Sequence, residues 1–64
     1  MVPPFDIFRV DNEGRLRWLQ TADSLQAAKL RIEVLAVSDP GQYVIFSQKT
    51  GNKTVINAGK QQDG

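Results

Sequence analysis

Two stretches of the chain are rich in aromatic and β-branched residues, and each is interrupted by a turn cluster. The first covers residues 5–10 and 15–20, on either side of a polar cluster that ends in Gly14. A glycine in that place favours a type I turn closed by a left-handed residue, a common hairpin connection. The second covers residues 42–48 and 53–57, around a cluster that ends in Gly51. The pattern therefore predicts two β-hairpins.

Between the hairpins, apolar residues recur at the spacing of an α-helix. This seam consists of Leu25, Ala28, Ile32 and Leu35, and Leu30, Val34 and Val37 widen it. Asp23 followed three residues later by Gln26 is a variant of the capping box, so we expect Asp23 to be the N-cap. The run Asp39-Pro40-Gly41 predicts the end of the helix, because proline disfavours a helical residue before it.

The expected turn fixes a register for the first hairpin. If Asp11 faces Arg15, then Phe8 faces Trp18, Arg9 faces Arg17 and Val10 faces Leu16. One side of the hairpin then carries the apolar set Phe8, Val10, Leu16 and Trp18, which we expect beneath the helix. The other side carries Arg9, Arg15 and Arg17 near the turn, and Phe5, Ile7 and Leu19 further away. A slip by one residue would mix the two sides.

The second hairpin is apolar on both sides. Its first strand contains the continuous apolar run of residues 43–46, which suits a strand buried on both sides. The same turn geometry would place Phe46 opposite Thr54, Val44 opposite Ile56 and Ile45 opposite Val55. The sequence does not indicate which side the helix covers.

These elements predict an α+β domain with ββαββ order. We expect a four-stranded, mainly antiparallel sheet with one helix packed on one face, and the strand order stays open. Residues 5–57 form the single domain, residues 1–4 a lead and residues 58–64 a disordered tail.

Composition excludes several kinds of chemistry. The 64 residues include no cysteine and no histidine, which removes disulfides, thiolate metal sites and the commonest general base. The net charge is +1, and no apolar run reaches the length of about 20 residues that spans a bilayer. We expect no enzyme activity, cofactor, metal ion, small-molecule substrate or membrane span. The lack of cysteine and of a signal peptide favours a cytoplasmic protein.

The strands carry more apolar residues than one helix can cover. The uncovered side should hold Phe5, Ile7 and Leu19, together with either Tyr43, Ile45 and Val55 or Val44, Phe46 and Ile56. Such a patch is larger than soluble monomers usually expose. We therefore expect a small interaction module that forms a homodimer through this sheet face or a sheet edge, or that captures a segment of another protein.

A rival hypothesis is weak binding of nucleic acid by Arg9, Arg15 and Arg17, which share one side of a hairpin. The run from Arg15 to Leu19, followed by a capped helix, is similar in outline to plant ethylene-response-factor domains and integrase arm-binding domains. That resemblance implies DNA contact through a basic sheet face. The nearly neutral charge and the fourth strand depart from it, and three arginines would give weak, salt-sensitive binding.

A second resemblance covers nearly the whole chain and brings no activity with it. The segments that carry it are Phe8-Arg9-Val10-Asp11, Leu16-Arg17-Trp18-Leu19, Ser24-Leu25-Gln26-Ala27-Ala28-Lys29, Pro40-Gly41-Gln42-Tyr43-Val44-Ile45-Phe46 and Lys49-Thr50-Gly51. In these the chain resembles a group of small uncharacterised single-domain bacterial proteins. The resemblance implies one compact domain and no catalytic residue.

Overall fold

The computed structural model describes residues 4–59, which form the predicted ββαββ domain. Strands β1 (Phe5–Val10), β2 (Leu16–Ala22), β3 (Gly41–Ser47) and β4 (Lys53–Ala58) build one antiparallel sheet in the order β2-β1-β3-β4. Helix α1 (Leu25–Ser38) packs on one side of it. Residues 1–3 of the predicted lead and residues 60–64 of the predicted tail lie outside the described residues. Between residues 4 and 59, no helix has the length and apolar character needed to cross a membrane.

The first hairpin has the predicted turn and register. The N–H of Asp11 donates to the carbonyl of Arg15 at 2.9 Å, and Gly14 adopts a φ of 83°, in the left-handed region. Phe8 then faces Trp18. The Asp11 carboxylate accepts hydrogen bonds from the N–H groups of Arg15 and Glu13, both at 2.9 Å. Because these bonds favour the charged form, that of Arg15 most, they hold the pKa of Asp11 below its ordinary value.

A β-bulge interrupts the pairing of β1 with β2 at Leu19. Phe8 pairs with Trp18, but the preceding Ile7 pairs with Gln20, so Leu19 has no partner on β1. The extra residue moves Leu19 out of the alternation that the sequence predicts. The predicted register would pair Leu19 with Ile7, and that pair is not formed.

The predicted register of the second hairpin is wrong by one residue. The N–H of Ser47 donates to the carbonyl of Asn52, so the loop is the four-residue segment 48–51 and not a copy of the first turn. The observed pairs are Phe46 with Lys53, Ile45 with Thr54, Val44 with Val55 and Tyr43 with Ile56. The shift moves every side chain of β4 to the opposite side from the one predicted. The strand also continues to Ala58, a buried residue that the sequence assigned to the tail.

The helix covers the other side of the first hairpin from the one predicted. Its contacts are with the side of the sheet that carries Ile7, and the set Phe8, Val10, Leu16 and Trp18 faces away from it. The core consists of Ile7, Ala28, Ile32, Ala36, Tyr43, Ile45 and Ala58, with Phe5, Ala22, Leu35 and Ile56 packed at its margin. Two of the three buried helix residues are alanines. Small side chains bring the helix close to the sheet, where the branched side chains of Ile7 and Ile45 fill the space.

The helix begins one residue later than predicted. Ser24 is the N-cap, and its Oγ accepts a hydrogen bond from the N–H of Ala27 at 3.0 Å. The predicted cap, Asp23, is therefore the residue before the cap. Serine and aspartate cap about equally well, so their order in the chain does not decide between them. At the other end, the N–H of Asp39 donates to the carbonyl of Leu35 at 3.0 Å.

Shortening Ile32 tests which side of the helix faces the sheet. We expect Ile32→Val to lower the free energy of unfolding by about 1 kcal/mol, because it removes a methylene group from a fully buried position. Val34→Ala removes methyl groups from the outer side of the same helix and should change stability by less than about 0.5 kcal/mol. Urea unfolding followed by circular dichroism measures both. Equal losses in the two variants would contradict the packing.

The lowered pKa of Asp11 predicts a dependence of stability on pH. The unfolded chain takes up this proton first, near pH 3.9, and the folded chain only at lower pH. The stabilisation is therefore complete above about pH 3.9 and is lost as the pH falls through the folded-state pKa. Asp11→Asn keeps an acceptor oxygen without the charge, so its stability should fall less steeply from about pH 5 to pH 2 in urea unfolding. Parallel curves for the two proteins would contradict the assignment.

Candidate functional site

The side of the sheet turned away from α1 is called here the open face, and apolar side chains fill most of its middle. Alternation along the four strands assigns the residues to it. The open face carries Asp6, Phe8, Val10, Leu16, Trp18, Thr21, Gln42, Val44, Phe46, Lys53, Val55 and Asn57. No other described element of the chain lies over this side, because α1 packs on the opposite one.

Four of these residues form a continuous line across all four strands, called here the middle row. Phe8 pairs with Trp18 on one side and with Val44 on the other, and Val44 pairs with Val55. The order from edge to edge is therefore Trp18, Phe8, Val44, Val55. The two aromatic side chains occupy one half of the sheet and the two valines occupy the other half.

Much of this apolar surface is exposed. Trp18 has 57% of its surface exposed, Val55 has 55% and Leu16 has 47%. Only Val44 is buried, and Phe8, Val10 and Phe46 are half-buried. A shallow groove of about 200 Å³ runs across the face, lined by Phe8, Leu16, Val44, Phe46 and Lys53. The open face is thus an extended apolar surface in contact with water.

Asp6 positions the indole ring of Trp18. Its Oδ1 accepts a hydrogen bond from Nε1 of Trp18 at 3.3 Å, and its Oδ2 accepts one from Nε2 of Gln48 at 2.8 Å. The indole donor is therefore satisfied while its apolar ring stays exposed. A tryptophan held in this way presents its ring to a partner with little loss of side-chain freedom.

A second exposed apolar strip lies on the outer side of α1. Leu30, Val34 and Val37 are all more than half exposed. These residues widen the predicted helical seam, but the structure turns them toward solvent. Three aliphatic side chains on one helix make a narrower surface than the open face, and the strip has no aromatic residue. Aromatic residues dominate the binding energy of protein interfaces, so the open face is the better candidate.

Most of the residues predicted for the interface lie under the helix. Ile7, Tyr43 and Ile45 are buried in the core, and Phe5 packs against it, so these four do not form an exposed surface. The prediction placed them there because it chose the wrong side of the first hairpin for the helix. Val55 is on the open face, and Leu19 occupies the bulge of an edge strand with 37% of its surface exposed.

Arg9 makes a set of contacts with Asp39, Pro40 and Tyr43 of the same chain, called here the clamp. Its guanidinium group donates to both carboxylate oxygens of Asp39, at 3.1 and 3.2 Å, and to the carbonyl of Pro40 at 3.1 Å. It also lies 5.3 Å from the ring centre of Tyr43. A Cβ atom at Gly41 would come within 2.5 Å of this group, so glycine leaves the room that Arg9 needs. The clamp ties β1 to the end of α1 and the start of β3.

The clamp changes the proton affinities of its members. Hydrogen bonding to Asp39 raises the pKa of Arg9 above its ordinary value, so this group is charged at all physiological pH values. The Tyr43 hydroxyl donates to the carbonyl of Asp39 at 2.6 Å. Burial raises the pKa of Tyr43, and the nearby Asp39 charge adds to the effect. Both groups therefore keep one protonation state, which suits a structural contact and not a proton-transfer step.

The other two arginines of the nucleic-acid hypothesis do not join Arg9 in a free basic patch. Arg15 forms ion pairs with Glu13 and with Asp11, the latter at 3.6 Å. Arg17 lies opposite Arg9 and is exposed, and it forms no ion pair within residues 4–59. Two of the three cations are thus matched by carboxylates of the same chain. This arrangement gives the nucleic-acid hypothesis little support.

Another concave surface lies between the start of α1 and the second hairpin. It is an open cleft of about 250 Å³ lined by Phe5, Leu25, Ile45, Ser47, Thr50, Asn52 and Thr54. No charged side chain lines it. Within residues 4–59, no three Asp or Glu side chains come close enough together to hold a metal ion. The cleft thus presents apolar side chains, hydroxyl groups and one amide.

Replacing Arg9 separates its internal role from the nucleic-acid hypothesis. We expect Arg9→Ala to lower the free energy of unfolding by about 1 kcal/mol, because it removes a two-pronged ion pair and a contact with Tyr43. Arg17→Ala, at the paired and exposed position, should change it by less than about 0.5 kcal/mol. Urea unfolding measures both. Similar values for the two variants would show that the clamp adds nothing to stability.

Comparisons with known proteins leave the function to be argued from this geometry. No family model, no curated protein and no solved structure matches the chain. The resemblances stated from the sequence therefore stay hypotheses.

Proposed function

We propose that this chain is a small, non-catalytic protein-interaction module that binds a second copy of itself through the open face. The observation that supports the proposal is the exposure of Trp18, Leu16 and Val55 on a sheet face that α1 does not cover. Apolar side chains in that position gain free energy when they leave water, at about 25 cal/mol per Å².

Size adds to the reason for association. A domain of about 60 residues buries only about 60% of the surface of its unfolded chain, so its stability is small. Disulfides are not available to this chain, because it has no cysteine. A partner that binds only the folded state stabilises that state by mass action. Dimerisation through the open face would therefore strengthen the fold as well as cover the surface.

Charge favours a second copy as the partner. The net charge of +1 creates almost no repulsion between two chains. The open face carries one acidic residue, Asp6, and one basic residue, Lys53, at the same end of the sheet. A face with one charge of each sign can match a copy of itself. A strongly acidic or strongly basic partner would find only one opposing charge there, and one charge of its own sign.

The edges of the sheet fit this mode of binding less well. β2 carries the bulge at Leu19, which disrupts the regular row of hydrogen-bonding groups that an added strand needs. β4 begins with the charged Lys53. Both features are typical of edge strands that are protected from pairing. The sheet face is therefore better suited to bind a second copy than either sheet edge is.

No chemical step is assigned to this module. A chain without histidine and cysteine lacks the commonest bases and nucleophiles, and the open face has one carboxylate, which already accepts two hydrogen bonds. The cytoplasmic location that the composition favours stays a prediction.

A charge placed on the open face tests the proposal. We expect the wild-type chain to form a dimer with a dissociation constant in the micromolar range, since four short strands make an interface at the small end of the known range. Val55→Lys should weaken dimerisation by about tenfold or more, because it places an unpaired charge in the interface. Val37→Lys adds the same charge to the outer side of α1, where 84% of the valine is exposed, and should leave the dimer unchanged.

Sedimentation equilibrium between about 1 and 200 μM measures all three proteins, a range that brackets micromolar dissociation constants. A wild-type chain that stays monomeric throughout contradicts the proposal. So does a dimer that Val37→Lys disrupts and Val55→Lys does not, because that result would assign the contact to the helix strip.

A further inference from the structure

We propose that the two-fold axis of the dimer runs parallel to the strands, so that Trp18 of each copy packs against Val55 of the other. This inference rests on the proposed function and goes beyond it, because it specifies which residues meet. Two sheets packed face to face keep their strands within about 30° of each other in the aligned arrangement. A two-fold axis between aligned sheets is then either nearly parallel or nearly perpendicular to the strands.

The order of side-chain sizes in the middle row favours the parallel axis. An axis parallel to the strands, between β1 and β3, places β2 of one copy over β4 of the other and β1 over β3. The row Trp18, Phe8, Val44, Val55 then meets the same row in reverse order. Trp18 meets Val55 and Phe8 meets Val44, so that a large side chain lies over a small one at all four positions. Such complementarity matches the dense packing of protein interiors.

The perpendicular axis gives a poorer match. It places β2 over β2 and β4 over β4, so that the middle row meets itself in the same order. Trp18 would then meet Trp18, and Val55 would meet Val55. Two tryptophans would hold the sheets apart on one side, while two valines would leave a gap on the other. Gaps and overpacking both cost stability.

The charges of the open face favour the same axis. Asp6 and Lys53 belong to a second row across the sheet, in the order Thr21, Asp6, Phe46, Lys53. The parallel axis keeps this row at the same end of the dimer and reverses its order. Lys53 of one copy then lies over Thr21 of the other, one strand away from Asp6. A lysine side chain spans that distance, and a carboxylate that loses water on binding needs such a partner.

The perpendicular axis separates these charges. It exchanges the two ends of the sheet, so that Asp6 would lie near Val10 of the second copy and Lys53 near Asn57. Within residues 4–59 of one copy, neither Asp6 nor Lys53 takes part in an ion pair. Lys53 is therefore available to a second copy. Side-chain size and charge, which are independent properties, thus select the same arrangement.

A double-mutant cycle between positions 18 and 55 tests the axis. We expect Trp18→Val to weaken dimerisation by about tenfold or more, because a valine would face a valine. Val55→Trp should weaken it comparably, because a tryptophan would face a tryptophan. The double variant restores one large and one small residue at each contact, so its dissociation constant should return to within about threefold of wild type. Sedimentation equilibrium measures all four proteins.

A recovery of dimer affinity in the double variant would have to come from a contact between positions 18 and 55 of different copies. In one copy, β2 and β4 are separated by β1 and β3, so positions 18 and 55 are about 14 Å apart at the usual strand spacing. Substitutions at that distance without shared partners are normally additive. Both side chains are more than half exposed, so the variants should fold, and circular dichroism verifies this. Val34→Trp on the outer side of α1 is the matched control and should show no coupling with Trp18→Val.

Fluorescence gives a second reading, because Trp18 is the one tryptophan of the chain. In the wild type its emission should shift to shorter wavelength as the protein concentration rises, because the ring leaves water. The double variant should show the same shift from position 55. Additive effects in a chain that does dimerise would overturn the parallel axis and leave the proposed function standing. A wild-type chain that is monomeric at 200 μM, a concentration well above micromolar dissociation constants, would overturn both.

Discussion

One α-helix cannot cover both sides of a four-stranded sheet, and this limit organises the molecule. A helix with its side chains is about 10 Å wide, and it shields one side of the sheet only. Here both sides carry large apolar residues, so whichever side α1 covers, the other stays in water. The structure gives the helix the side with Ile7, Tyr43 and Ile45, and it leaves Trp18 and Phe8 exposed or half-buried on the opposite side. The domain is thus closed on one side and open on the other.

The parts of the fold that depend on local chemistry could be predicted from the sequence. The first hairpin has the register expected from Gly14, because a left-handed glycine after a type I turn leaves little choice of pairing. The second hairpin has a similar run of turn residues but a loop one residue longer. Nothing in its sequence opposed the shorter loop, since Val44, Ile45, Val55 and Ile56 give apolar residues on both sides in either register. Register is specified only where the two sides of a strand differ.

The side of the sheet that the helix covers could not be predicted either, because both sides of the strands carry apolar residues. Phe8, Val10, Leu16 and Trp18 make a cleaner apolar set than Phe5, Ile7 and Leu19, and the arginines seemed to mark the second side as wet. The structure resolves this conflict through Arg9, whose charged end reaches past the helix to Asp39 and Pro40 while its side chain stays largely covered. The sequence of the helix did not indicate which side of the sheet it covers, because Leu30, Val34 and Val37 make its outer side as apolar as its inner one. The sequence thus predicted that the strands carry more apolar side chains than the helix can cover, but not on which side of the sheet the uncovered ones lie.

The hydrogen bond between Asp6 and Trp18 gives the open face a fixed geometry that a purely apolar surface lacks. A carboxylate among apolar side chains costs free energy when water is removed, so a face that only avoided water would do better without it. Its hydrogen bond to the indole nitrogen and its contact with Gln48 hold the aromatic ring in one place. Preorganisation of this kind reduces the entropy lost when a partner binds. The charge also makes one orientation of a second copy better than the others, because only some orientations bring a cation near it. A single acidic residue can therefore turn non-specific hydrophobic association into a preference for one orientation of the second copy.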